Sequence, residues 1–370
     1  MIDFFYISLS IYFGLGCFVL LGYILQLKNE KKRSGIPFET ISLEEVVVII
    51  PFRNEEHRLS SLIQSINQQK IFPKKILFID DHSTDNGKEL IQKLSDFVPY
   101  EILSLPSDSF GKKSAIRFGV NFISTEYNLT WDADIQLPSD YFETLQTLPK
   151  ADLLILPIIM KGKTISELFF EADHAMANAM NIATDGLTRP FIASGANLLF
   201  HQAIFLQIDS IKHHAHIASG DDMFLLKDFR ENKSHIQLSS NKSIAVTTET
   251  PKSWKEFMSQ RLRWIGKSSN VKDHLSTTLA LLVFVFNTIF YTGFVLLIYD
   301  KNWSEFLLVF GLKSLIDWIV YAPYFLKYRR IVTWLLLPVF SFIQPIYLLV
   351  LLGLMAIHKP SWKGRKINIK

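Results

Sequence analysis

The chain is almost without cysteine. Its one cysteine, Cys17, lies in an apolar stretch, which excludes both a disulfide framework and a thiolate metal site built within one chain. It also lacks a charge excess. Against 39 Lys plus Arg stand 35 Asp plus Glu, a formal net charge of +4, too balanced for nucleic-acid binding by bulk electrostatics. No internal repeat or low-complexity tract interrupts it. From Phe4 to Leu27 there is no charged residue at all, and a helix of that length exceeds the roughly 20 residues that cross a bilayer. A cleaved signal peptide would begin with positive charge, whereas this segment begins with Asp3, so a retained anchor is expected.

What is abundant is apolar material, at 49% of the residues, more than one soluble core of this size needs. Lys28, Lys31, Lys32 and Arg33 follow the anchor, and short basic flanks stay in the cytoplasm. The start is therefore expected outside and the following region inside, in the cell membrane. Apolar character returns at Ser276–Tyr299, Phe306–Leu326 and Val332–His358, which reads as three spans. Lys313 and Asp317 share a helix face and are expected to neutralise each other as a structural pair. Three simple spans would leave the basic tail Lys359–Lys370 outside. Pro338 and Pro345 are therefore expected to break the last segment into a re-entrant hairpin. The organisation is an anchor at 1–33, a cytoplasmic domain at 34–273 and membrane segments at 274–370.

The middle region reads as α/β. Val46–Ile50 is a β-branched run suited to a buried parallel strand, followed by Pro51-Phe-Arg-Asn-Glu. Leu59, Leu62, Ile63 and Ile66 recur at helical spacing on one face. Strands at Ile76–Ile79, Glu101–Leu105 and Tyr127–Trp131, with a helix from about Lys112 to Ser124, continue the alternation and predict a mostly parallel sheet. Helices are expected at Thr164–Thr184 and Trp254–Lys272, and extended chain at Phe191–Phe200. In such sheets ligands bind beyond the carboxyl ends of strands, and two acidic clusters fall there.

Asp132-Ala-Asp134 supplies hard oxygen ligands for Mg2+ or Mn2+, or serves as a turn. Asp80 and Asp81 either form a turn or, one of them, hold a base or ribose. Gly111-Lys112-Lys113 opens a helix, where Lys112 either meets a diphosphate or is solvated. Asp221 and Asp222 begin an apolar helix, as caps or as a general base. Gln260, Arg263 and Trp264 fall on one side of a helix. There they either contact a sugar diphosphate or form an interfacial belt at lipid headgroups.

In this order, Pro51-Phe-Arg-Asn-Glu-Glu56, Asp80-Asp81, Gly111-Lys112, Asp132-Ala-Asp134, Asp221-Asp222 and Gln260-x-x-Arg263-Trp264 resemble the family-2 inverting glycosyltransferases. The membrane branch with ceramide glucosyltransferase, hyaluronan synthase and cellulose synthase is the nearest in pattern, over residues 46 to 265. The resemblance implies an A-type glycosyltransferase fold flanked by transmembrane helices. It implies a nucleotide-sugar donor, most readily a UDP-sugar, a divalent metal, and a lipid or membrane-proximal glycan acceptor. It places Asp81 near the nucleoside, Lys112 near the diphosphate, Asp132 and Asp134 at nucleotide and metal, and Asp222 as base. Gln260, Arg263 and Trp264 would close the site. Ser194-Gly195-Ala196-Asn197 looks like the family's acceptor-side segment. Where the family often carries Glu-Asp this chain has Asp221-Asp222, which leaves the choice of carboxylate open between the two. A processive polysaccharide synthase shares these motifs but needs more spans. A non-catalytic scaffold would not need the acidic clusters.

Overall fold

The computed structural model describes residues 2–34, 39–208, 221–271, 273–357 and the pairs 361–362 and 365–366. The chain divides into two compact units. One is the α/β unit, residues 30–161 and 192–249; the other holds 1–29, 162–191 and 250–369.

The α/β unit is built on a seven-stranded sheet. Its strands are β1 (Val46–Phe52), β2 (Lys75–Asp80), β3 (Tyr100–Ser104), β4 (Tyr127–Trp131), β6 (Leu153–Ile155), β8 (Asn197–His201) and β9 (Ile236–Leu238). A smaller sheet holds β5 (Ile135–Gln136), β7 (Ile158–Lys161) and β10 (Val246–Glu249). The large sheet runs β3-β2-β1-β4-β8-β6-β9. β1 pairs in parallel with β2 and β4, while β8 is antiparallel to both of its neighbours. β1 and β4 form because their apolar residues are covered on both faces, the condition a parallel strand requires. The helix Glu56–Asn67 buries Leu59, Leu62, Ile63 and Ile66 against one face. The helix Gly111–Phe122 buries Ala115, Ile116 and Val120. Strand order reverses direction at β1, so the crevice beyond the carboxyl ends of β1 and β4 is the topological switch point.

The other unit contains four helices long and apolar enough to cross a membrane: Tyr6–Lys32, His274–Tyr299, Trp303–Lys327 and Leu337–Leu354. The expected pair is present. Lys313 Nζ lies 2.8 Å from Asp317 Oδ2, and Asp317 also accepts from Tyr12 and Ser341. Every oxygen of this carboxylate thus has a partner, which is what makes a buried charge tolerable. Small residues set the helix spacing. A Cβ on Gly186 would lie 1.9 Å from the Gly22 carbonyl oxygen, so only glycine allows this backbone approach. The helix Ile165–Leu187 begins in a reciprocal cap between Thr164 and Glu167.

The last apolar segment departs from expectation. Ile331–Leu335 is a separate short helix, and Leu337–Ile357 runs unbroken through Pro345. No re-entrant hairpin forms. Pro338 sits in the first turn, where its missing N–H is not needed, and Pro345 removes one hydrogen bond without ending the helix. Most of the basic tail lies outside the described residues.

Candidate active site

The carboxyl ends of β1 and β2 are joined side by side. After β1, Asn54 takes a left-handed conformation (φ 51°), and its Oδ1 accepts from Thr84 N at 2.8 Å. Asp85 Oδ2 accepts from Glu56 N at 2.8 Å. This lacing fixes where Asp80 and Asp81 stand. Asp80 is consumed by the turn: Ser83 N donates to Oδ1 at 2.9 Å and Lys88 Nζ is 2.8 Å from Oδ2. Burial, the largest influence, pushes its carboxyl up. Hydrogen bonds from Lys88 and Ser83, with the Lys88 charge, outweigh burial and hold it below the usual aspartate value. Asp81, equally buried, has the Arg53 guanidinium at 3.8 Å. Of the two, Asp81 is the carboxylate not committed to the Ser83 turn.

β4 ends in Trp131, so Asp132 and Asp134 enter the crevice directly from the sheet. Lys112 Nζ is 2.5 Å from Asp132 Oδ1, which brings the helix Gly111–Phe122 and the acidic motif together. Arg58 Nη1 lies 3.6 Å from Asp134 Oδ2. Burial first, and the adjacent Asp132 charge second, push Asp134 up to about 6, with Arg58 acting against them. The Asp134 side chain keeps 34% exposure, enough for an ion to reach it. Among the described residues no group of three His, Cys, Asp or Glu side chains is placed to hold a metal. Two crowded carboxylates are nevertheless the donor set that Mg2+ or Mn2+ uses when phosphates and water complete the shell. The residues fit such an ion.

Asp222 opens the helix Asp221–Glu231. Met223 N donates to its Oδ1 at 2.8 Å and Gly195 N to its Oδ2 at 3.3 Å. It lines a small, partly open cleft with Thr130, Gly195, Leu198 and Leu225 among the other walls. The Asp221 side chain lies outside the described residues. The segment before β8 meets Asp222 directly. Gly195 orients Asp222, and Asn197 is fully buried. Asn197 Oδ1 accepts from Tyr141, and its Nδ2 donates to the carbonyls of Pro157 and Ile244.

Gln260, Arg263 and Trp264 lie on the helix Trp254–Val271, in the unit that holds the apolar helices. All three are partly buried, and Gln260 Oε1 has no hydrogen-bond partner among the described residues. Arg261, absent from the expected set, lies over the Trp264 ring at 4.2 Å and 2.6 Å from Asp173 Oδ2. His174, with its ring 6.0 Å from Trp264, is pushed down to about 3 by burial and then by the Arg261 charge. Burial raises Asp173, against the pull of Arg261. Arg53, Arg58 and Arg261 were not legible as site-adjacent, because each acquires its partner only through the fold.

Two family models match the chain: glycosyl transferase family 2 over residues 47–205, and glycosyl transferase family group 2 over residues 129–358. Among curated relatives, an undecaprenyl-phosphate 4-deoxy-4-formamido-L-arabinose transferase from Yersinia enterocolitica is 28% identical over 146 residues, 38% of this chain and 44% of the relative. Its Salmonella choleraesuis counterpart is 34% identical over 119 residues, 31% and 36% of the two. The chain thus spans less than half the length of these relatives. A mannosyltransferase from Pyrobaculum calidifontis, solved in complex with GDP-Man and Mn2+, shares the fold at TM-score 0.52. It is 14% identical, with 87% of this chain and 98% of that chain covered.

Proposed function

Because the chain belongs to glycosyl transferase family group 2 and is a glycosyltransferase, we propose that it is a membrane-bound inverting enzyme. It moves a sugar from a nucleotide-sugar, a UDP-sugar foremost, to a lipid acceptor or membrane-proximal glycan. The observation that carries this is the gathering of Asp81, Lys112, Asp132 and Asp134 at the carboxyl ends of neighbouring strands, with Asp222 oriented separately by Gly195. Asp81 holds the nucleoside. Lys112, at a helix start, leaves Asp132 for the diphosphate when the donor enters. Asp132 and Asp134 would hold Mg2+ or Mn2+, which supplies charge stabilisation to the departing diphosphate. Asp222 accepts the proton of an acceptor hydroxyl as that hydroxyl attacks the anomeric carbon, and one displacement inverts the configuration. Ile116, Leu198 and Leu225 put apolar surface beside Asp222, an environment that limits the access of water to the transfer.

The lipid acceptor is supported by the four apolar helices and by relatives whose names carry undecaprenyl phosphate. A lipid phosphate is already ionised at neutral pH and would need no base, whereas a hydroxyl does. Membranes incubated with a panel of nucleotide-sugars and Mg2+ or Mn2+, followed by mass analysis of the lipid extract, test both points. A new glycolipid is expected; acid lability of its sugar marks a phosphate linkage and stability a glycoside. Transfer with no donor would remove this function, and full activity in excess chelator would remove the metal. The Lys28, Lys31 and Lys32 flank supports a cytoplasmic α/β unit, so protease outside intact cells is expected to leave the loop at Phe110 uncut.

A further inference from the structure

One aromatic pair at the mouth of the α/β crevice has no part in the chemistry above. Phe110 is 51% exposed, with its ring centroid 4.8 Å from the ring of His82. His82 directly follows Asp81 and holds a left-handed backbone (φ 57°), uncommon for a residue with a side chain. Its Nε2 is hydrogen-bonded to the Ser109 carbonyl at 3.0 Å, which joins the loop after β2 to the loop after β3. Leu105 N donates to the Asp80 carbonyl at 3.0 Å and fastens the same two loops from below. Gly111 (φ 89°) then turns the chain so that Phe110 precedes the helix carrying Lys112.

We propose that the Phe110 ring, backed by His82, is the stacking platform for the nucleobase of the donor, a reading that rests on the nucleotide-sugar function proposed above. A single exposed phenylalanine on a surface needs no explanation. This one is braced by an imidazole, between the carboxylate next to His82 and the lysine two residues beyond Phe110. The sugar and diphosphate of a nucleotide-sugar are polar and suit the aspartates and Lys112. The base alone presents a flat π face, and such faces stack on aromatic side chains with little regard to sequence of atoms. Asp81, buried beside His82, is placed to accept from a base or ribose edge while the ring covers the face. The platform thus sets affinity for the nucleoside, and Asp81 sets which nucleoside.

The test is calorimetric titration of the full detergent-purified chain with UDP and with GDP in Mg2+, together with tryptophan emission. Phe110→Ala is expected to weaken binding of the better nucleotide by about fivefold or more, on the order of one stacked base. Phe110→Trp is expected to keep wild-type affinity and to show a larger nucleotide-dependent quench than the wild type, whose seven tryptophans give the background signal. His82→Ala should fall between wild type and Phe110→Ala. If Phe110→Ala binds within about twofold of wild type and Phe110→Trp shows no added quench, the platform is overturned while the nucleotide-sugar reading stands. If the wild type binds neither nucleotide, both readings fall together.

Discussion

The hydroxyl of Tyr141 donates to Asn197 Oδ1 at 2.6 Å and accepts from Trp131 Nε1 at 3.3 Å, all three side chains being buried. Trp131 ends β4, one residue before Asp132, and Asn197 begins β8, two residues after the glycine that orients Asp222. One phenol therefore ties the strand end that leads into Asp132 and Asp134 to the strand whose preceding glycine holds Asp222.

Tyr141→Phe removes that link with almost no change in volume. It leaves a buried indole N–H and a buried amide oxygen short of a partner, at a cost of about 1–3 kcal/mol. Chemical denaturation in detergent should show this loss, and turnover should fall more than donor affinity. An unchanged midpoint would mean that water replaces the phenol.

Asp222→Asn is expected to keep nucleotide-sugar binding and lower turnover by about a hundredfold, the range for a positioned base. Titration with the donor and a transfer assay on one preparation separate the two effects. If Asp221→Asn gives this pattern instead, the base is the other carboxylate.

Asp134 should link stability to pH. Its folded pKa, about 6, lies above the usual aspartate value, so its favourable contribution is complete at low pH and is lost as pH rises through about 6. Asp134→Asn should therefore raise the melting temperature at pH 8 more than at pH 5, while abolishing transfer. Asp80 has the opposite sign. Its lowered pKa supplies stability at neutral pH that disappears as pH falls through the folded value.

Arg261 and Arg263 should fail differently. Arg261→Gln leaves the Asp173 carboxylate, 15% exposed, without its cation, expected to cost about 3 kcal/mol in a thermal or chemical melt. Arg263→Lys should spare the melt and lower turnover, because a point charge cannot reproduce a planar fork of donors. Wild-type turnover in Arg263→Lys would leave Arg263 as an interfacial residue.

β1, β2 and β4 were legible because their residues are apolar and buried in unbroken runs, and the acidic motifs could be located from the strand ends that precede them. The small sheet was not, since β5 has two residues and pairs with β10 across more than a hundred positions. Nor could helical spacing distinguish Arg261 from Arg263. Which of them turns inward depends on Asp173, supplied by a distant helix. The burial of Asn197 was not legible for a similar reason: an asparagine in a Gly-x-Asn segment carries no mark of burial until Tyr141 is placed beside it. The membrane helices were found by length and hydropathy, but the continuity through Pro345 follows from packing that propensity does not contain.

The bond between Tyr12 and Asp317 joins residues 305 positions apart. During synthesis at about 5–20 residues per second, the first helix waits roughly 15–60 s before the helix carrying Asp317 exists. Through that interval Tyr12 has no carboxylate, and the Gly16 face that later meets Val320 is bare. Until the helix His274–Tyr299 brings Phe286 and Phe290 to Tyr12, the anchor must persist in the bilayer without a second spanning helix. Its small-residue surface is thus a burden during biogenesis and an asset only in the finished protein, so insertion factors that shield single helices should govern the yield of this enzyme.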